Sequence, residues 1–318
     1  MRNNLTQRSL MLLGVTFLGL LPMLAQEKRP TATIPVQMTV TVRRLGENKR
    51  MPDVNREDVI VRQGKNRLHV TGWRPVGGDQ APLDLFMLID DAAHPSLGSQ
   101  SSDLRGFINS LPANASVGIG YMRNGTVQIA QNLTNDHDQA ARAIRLPLAT
   151  SGAYGSPYLS AIDLMRRWPE SSNRREIVMI TDGIDRLRSG PRYRGLSFIS
   201  PDVDSASVIA QRTGTIIHTI FTRGVGRRSG NFWEITNGQN SMAKLSDETG
   251  GESFFLGTQN AVSFRPYLDA IQNGLGNRYL LEFNAVPGNK SSLQYVKLTT
   301  EVAGVELDSA DSVWVKAR

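Results

Sequence analysis

Apolar and polar residues alternate near the start of the chain. Ile34, Val36, Met38, Val40 and Val42 are set against Thr33, Gln37, Thr39, Thr41 and Arg43. A period of two predicts a strand with one buried face. Shorter β-like runs follow at 59–61 and 68–70, joined by 62–67, which has hairpin composition around Gly64. Residues 26–82 therefore read as a small β module, closed by a linker at Pro75, Val76, Gly77 and Gly78.

From residue 83 the pattern changes to apolar runs without alternation, at 83–89, 117–121, 176–180 and 215–221. Such runs are what strands buried on both faces look like. Between them Leu104, Phe107, Ile108 and Leu111 recur at helical spacing, as do Leu159, Ile162, Leu164, Met165 and Trp168. Strands alternating with helices across 83–277 predict an α/β fold with a doubly wound, mostly parallel, Rossmann-like sheet. One antiparallel excursion is expected at 126–129, because Arg123, Asn124 and Gly125 make a tight turn after the preceding strand. The end returns to β at 279–283, 295–302 and 313–315. β segments at both ends of an α/β body are explained if 26–82 and 278–318 pair into one small sandwich with the body inserted.

Charge changes this picture only locally. The 318 residues carry a formal net charge of +7. Residues 1–25 hold two arginines and no acid, and 26–82 hold eleven basic against six acidic residues. The segments 83–277 and 278–318 are each balanced, so net charge gives no support to nucleic-acid binding. Arg2 and Arg8 precede an apolar run over 10–21 that ends at Pro22, Met23, Leu24 and Ala25, the layout of a secretory signal peptide. The run is shorter than the roughly 20 residues of a membrane-spanning helix, so a secreted or periplasmic protein is expected; an uncleaved anchor is the alternative. The absence of cysteine excludes a disulfide framework, a thiol nucleophile and lipid attachment through cysteine.

In an open parallel sheet ligands bind beyond the carboxyl ends of the strands. One strand runs into Asp90, Asp91, Ala92, Ala93 and His94, and a later one into Thr181, Asp182, Gly183, Ile184 and Asp185. Between them Gly155, Ser156 and Pro157 open a helix, with Ser156 at a position where serine is also an ordinary N-cap. This ordered trio resembles the von Willebrand factor A-type domain, in particular the bacterial secreted VWFA-related proteins. The resemblance spans about 83–277, and the flanking β segments are similar to that group as well.

The resemblance implies a metal-ion-dependent adhesion site, in which an Asp-x-Ser-x-Ser loop, a Thr and a third-loop Asp surround Mg²⁺ or Mn²⁺ and a partner carboxylate completes the shell. Asp90 matches the first Asp, Ser156 stands in place of Thr, and Asp182 matches the third-loop Asp. The two serines of the first motif fall on Ala92 and His94. Mg²⁺ demands about six oxygens near 2.0–2.1 Å, so the lost hydroxyls predict a degenerate site that binds Mg²⁺ or Mn²⁺ in the roughly millimolar range or not at all. His94 with Asp90 and Asp182 is a candidate transition-metal set, weighed against a solvated loop histidine.

Arginines collect on the same edge: Arg186, Arg188, Arg192 and Arg194 after Asp182, and Arg223, Arg227 and Arg228 after the strand at 215–221. Guanidinium groups grip carboxylates bidentately, so these side chains are candidates for holding an acidic group of a protein partner, or else solvated charges offsetting the aspartates. Phe232 and Trp233 read as an exposed loop aromatic pair suited to a contact anchor, or as a buried plug. The expected function is a non-catalytic protein-binding or adhesion module. The alternatives are a structural envelope component with a vestigial site, or a metal-dependent hydrolase. The hydrolase is weakened by Ala92, by the lack of a Gly-x-Ser-x-Gly elbow, and by four histidines without ligand spacing. His218, inside an apolar strand, reads as a satisfied core residue.

Overall fold

A strand covered on both faces needs no alternation, and Leu83–Asp90 is buried at every position. The computed structural model describes residues 33–46, 51–149, 155–188, 198–226, 228–255 and 257–317. The leader expected over 1–25 lies outside them. Strands and helices in chain order are β1 (Ile34–Arg44), β2 (Val59–Gln63), β3 (Asn66–Leu68), β4 (Val70–Pro75), β5 (Leu83–Asp90), α1 (Ser101–Asn109), β6 (Ala115–Arg123) and β7 (Thr126–Thr134). There follow α2 (His137–Arg142), α3 (Pro157–Arg167), β8 (Arg174–Thr181), α4 (Pro201–Thr213), β9 (Thr215–Phe221), α5 (Phe232–Thr249), β10 (Ser253–Phe254) and α6 (Arg265–Gly276). The chain closes with β11 (Arg278–Ala285), β12 (Ser292–Tyr295), β13 (Lys297–Thr300), β14 (Val305–Ser309) and β15 (Ser312–Val315).

The larger sheet has the order β10-β9-β8-β5-β6-β7 and is parallel except for β7, which returns antiparallel to β6 through the turn at Asn124 and Gly125. Side chains along β5 divide between two cores. Leu83, Leu85, Met87 and Ile89 pack with α1, α2 and α6, whereas Phe86 and Leu88 pack with α3, α4 and α5. Each such fully buried side chain contributes roughly 1.5–3 kcal/mol. From β5 the chain winds one way to β6, and from β8 the other way to β9, so the sheet reverses direction between β5 and β8. Asp90 ends β5 and Asp182 follows β8, which brings the carboxylates of two separate loops to that reversal point.

The two ends of the described chain pair directly. β1 runs antiparallel to β11 from Ile34↔Ala285 to Thr41↔Arg278, within a sheet ordered β14-β1-β11-β4. The small sheets β13-β2-β3 and β12-β15 share a core with it that includes Val40, Val61, Leu281, Phe283, Val305 and Val315. The sequence reading of one strand over 295–302 differs from this. Val296 is buried and donates its N–H to the Asp311 carbonyl at 2.9 Å, which breaks the run into β12 and β13 in different sheets. The residues read as a linker are also held: β4 extends to Pro75, and the N–H of buried Val76 donates to the Arg278 carbonyl at 2.8 Å. Entry to and exit from the α/β body therefore lie side by side.

A buried ionic cluster joins the two parts. Glu176 of β8 accepts from Arg278 Nε at 3.2 Å and Nη2 at 3.1 Å, with Arg174 Nη1 at 3.7 Å. His218 Nδ1 accepts the Glu252 N–H at 3.1 Å, which leaves Nε2 as the protonated nitrogen facing Glu176 Oε2 at 3.1 Å. The histidine is the satisfied core residue expected from its strand. Burial pushes the Glu176 carboxyl up, but Arg278, His218 and Arg174 together outweigh it and hold it at about 2 against an ordinary 4.5. A carboxylate lowered on folding adds stability above its unfolded value and loses it as pH falls toward the folded one. Replacing Glu176 by Gln is expected to cost about 3–5 kcal/mol at pH 7, because Arg278 is left buried without its counter-charge. The gap between wild type and E176Q in urea melts should close as pH falls from about 4.5 to about 2; a gap that stays constant with pH would refute this role.

Candidate functional site

The site is built from loops at the carboxyl edge. Asp90 is the last residue of β5, and its short side chain folds back on its own loop. Oδ1 accepts the Ala92 N–H at 2.8 Å, and Oδ2 accepts the Thr181 hydroxyl at 2.7 Å across the strand boundary. Burial raises the Asp90 carboxyl above its ordinary value, and the Asp182 charge adds to this, against the pull of Arg186 and the two hydrogen bonds. Ser156 is the N-cap of α3, its Oγ accepting the Leu159 N–H at 3.4 Å, with Pro157 in the first helical turn. Its hydroxyl serves the helix.

Asp182 is almost completely closed off from water and fully engaged. Oδ1 accepts the Ile184 N–H at 3.0 Å and Arg186 Nη1 at 3.1 Å. Oδ2 accepts Arg186 Nη2 and the Ser229 hydroxyl, the latter at 2.9 Å. Arg186 Nη2 also donates to Ser229 Oγ at 3.1 Å. The guanidinium thus grips the carboxylate as a two-pronged fork with only 11% of its side chain exposed. Gly183 follows at φ +70°, and a Cβ there would meet the Gly238 carbonyl of α5 at 2.5 Å, so the Thr-Asp-Gly turn needs glycine for both reasons. Tyr158 of α3 donates its hydroxyl to the Gly183 carbonyl at 2.8 Å and pins the loop from the other side.

The neighbouring acids are used elsewhere. Asp91 is buried in a bidentate pair with Arg145, at 2.7 and 3.0 Å, and also accepts the Leu148 N–H at 3.2 Å. Asp185 accepts the N–H groups of Leu187 and Arg188 at 3.0 and 3.1 Å and the hydroxyl of Ser200. Its carboxyl is raised, chiefly by burial. Both acids organise loops.

A divalent ion would need about six oxygens near 2.0–2.1 Å. Asp182 is clamped by a cation, Ser156 caps a helix, and the remaining family positions are Ala92 and His94. His94 caps the short 3-10 helix Pro95–Gln100, its Nδ1 accepting the Ser96 N–H at 3.2 Å and lying 2.9 Å from Ser96 Oγ. Among the described residues no group of three His, Cys, Asp or Glu side chains could hold a metal ion. The residues present do not fit the ion. Asp90, Ala92, Ser156 and Arg186 line a cleft of about 20 Å³, room for about one water and far below the roughly 300–1,000 Å³ of small-molecule pockets.

The arginines expected to face a partner divide. Arg186 points inward, because its strongest available counter-charge is the buried Asp182 four residues earlier. Arg188 pairs with Asp202 in the first turn of α4 at 2.9 Å and remains half-exposed. Arg223 is exposed, its Nε donating to the Ser229 carbonyl at 3.2 Å. Arg192, Arg194 and Arg227 lie outside the described residues, as does the Arg228 side chain. Phe232 and Trp233 belong to the first turn of α5 rather than to a loop, capped by Asn231, and both are exposed at 62% and 48%. Sequence reasoning missed Ser229, which nothing in the Arg228-Ser229-Gly230 stretch marks out, and quoted Thr181 without giving it the Asp90 contact.

The sequence matches no protein-family model and no curated protein. Solved structures similar in architecture include the BatB protein of Bacteroides thetaiotaomicron, 15% identical, with 61% of this chain and 97% of that one covered and a TM-score of 0.44. A von Willebrand factor type A protein from Catenulispora acidiphila is 9% identical, with 90% and 75% covered and a TM-score of 0.43. The manganese-loaded TRAP protein of Plasmodium vivax is 12% identical, with 73% and 94% covered and a TM-score of 0.40. These likenesses transfer no residue role, ligand or partner. The strand order, the antiparallel edge strand and the meeting of the Asp90, Ser156 and Asp182 loops at the point of reversal make the body a doubly wound, mostly parallel α/β sheet, the fold expected from the sequence.

Proposed function

We propose that this chain is an exported, non-catalytic protein-binding module whose contact surface is the carboxyl edge of the α/β body. In this reading 1–25 is a leader, 83–277 is the binding body, and 26–82 with 278–318 form the β module that carries it. Among the described residues no helix is long and apolar enough to cross a membrane.

The observation that carries the proposal is where large apolar side chains are exposed. Val262 is 97% exposed between β10 and α6, Phe232 and Trp233 stand at the start of α5, and Leu146 and Leu148 lie on the loop bonded to Asp91. The aspartates of the same edge are buried and satisfied, while Arg223 is exposed. An edge that hides its anions and exposes aromatic, aliphatic and cationic groups suits a protein surface carrying apolar side chains and an acidic group. The one-water cleft between the three loops supports a binding rather than a hydrolytic role.

A photo-reactive phenylalanine analogue at Trp233 should cross-link a partner in the producing cell, and the same group at exposed Val208 of α4 should not. Cross-linking from Val208 alone would refute the proposed surface. With the recovered partner, replacing Phe232 and Trp233 by Ala should weaken binding by 30-fold or more, since buried interface aromatics cost about 2 kcal/mol or more each.

Of the two outcomes left open by the sequence, millimolar binding or none, the proposal is that the degenerate site holds no divalent ion. A site with a millimolar dissociation constant would add about 1.4 kcal/mol at 10 mM ion. That corresponds to a rise of roughly 3 °C or more in Tm for a body of this size. Melts in 10 mM Mg²⁺, 10 mM Mn²⁺ and EDTA are expected to agree within about 1 °C; a rise of 3 °C with either ion would overturn this part of the proposal.

A further inference from the structure

We infer that the guanidinium of Arg186 is the resident cation of this site, occupying the place between the three loops that the fold otherwise offers to a divalent ion. The inference rests on the reading of the site as metal-free and says what replaces the metal. Three observations carry it.

The first is position. Arg186 lines the cleft together with Asp90 and Ala92 of the first loop and Ser156 of the second, while Asp182 does not line the cleft. The cation therefore sits where an ion bridging the three loops would sit, and it covers the third-loop carboxylate.

The second is saturation. The two Asp182 oxygens take four donors, two of them from Arg186, and Ser229 closes the ring by donating to Asp182 while accepting from Arg186. A carboxylate out of water needs this degree of compensation, and here an internal side chain supplies it.

The third is fit of the surrounding backbone. Gly224, in the loop after β9, passes so close that a Cβ would meet Asp182 Oδ2 at 2.2 Å and Arg186 Nη2 at 2.7 Å. That loop is tied to the first loop by the Ala93↔Gly224 bridge and by the Val225 N–H to Ala92 carbonyl bond at 2.8 Å. The two tied loops therefore leave no room beside the ion pair for a side chain at position 224. A fixed cation cannot be chelated or exchanged, so the edge holds one electrostatic state whatever the divalent-ion concentration, and a partner carboxylate gains no direct metal bond.

The test restores the missing hydroxyls with and without the arginine. Uptake of Mn²⁺ is read from the loss of the free-ion electron paramagnetic resonance signal, and Tm is measured alongside. Wild type and A92S/H94S should both leave the signal unchanged, because Arg186 still fills the place. A92S/H94S/R186M should take up Mn²⁺ and gain roughly 3 °C or more at 10 mM ion. Adding D182N to that variant should abolish the uptake. Should A92S/H94S/R186M not fold alone, refolding in 10 mM Mn²⁺ and not in EDTA supports the inference equally, and failure to refold in Mn²⁺ overturns it. Uptake by A92S/H94S with Arg186 intact, no uptake by the folded R186M variant, or uptake that persists with D182N also overturns it. Uptake by wild type would instead defeat the metal-free reading beneath it.

Discussion

Glu176 lies near the amino end of a parallel strand, shut off from water, and the molecule is arranged so that this carboxylate is never alone. Desolvating an anion costs several kcal/mol unless a cation and directed donors stand within hydrogen-bond reach. Arg278 meets that need from the first residue of β11, the strand that pairs with β1 and begins the return into the β module. The buried pair therefore fixes where the inserted body ends and the sandwich resumes. The Val76 to Arg278 backbone bond sets the other junction beside it.

The same constraint shapes the opposite edge of the sheet. Asp91, Asp182 and Asp185 are all buried within a few residues of strand ends, and each is matched separately: Arg145 for Asp91, Arg186 with Ser229 for Asp182, and Ser200 with two backbone N–H groups for Asp185. Asp90 is held by Thr181 and by its own loop. Negative charge that could have faced solvent or a metal is absorbed inside the protein. The outward character of the edge is then set by Phe232, Trp233, Leu146, Leu148, Val262 and Arg223. Internal neutralisation and an apolar, cationic exterior are two sides of one arrangement.

Much of the architecture was legible in the chain. Alternation over β1, unbroken apolar runs over β5, β8 and β9, and the Asn124-Gly125 turn each report a local consequence of burial or backbone conformation. The strand-end positions of Asp90 and Asp182 followed from the same runs. Less legible were features that depend on a distant contact. The break at Val296 comes from a bond to Asp311, and the helical start at Phe232 comes from an Asn231 cap that reads like any loop asparagine. Ser229 carries no local mark of its role, because its partners, Asp182 and Arg186, are more than 40 residues away.

The sequence by itself determined the alternation of strands and helices in the α/β body and the pairing of chemistry-bearing loops with strand ends. These depend on periodicity and residue type, which are written position by position. Only the tertiary structure decided which way each arginine turns. A cluster of arginines on two loops is compatible with a cationic surface or with internal counter-ions, and sequence cannot separate the two. Burial does separate them: once Asp182 is removed from water, the guanidinium that can reach it gains more by turning inward than by staying hydrated, and Arg186 is placed to do so.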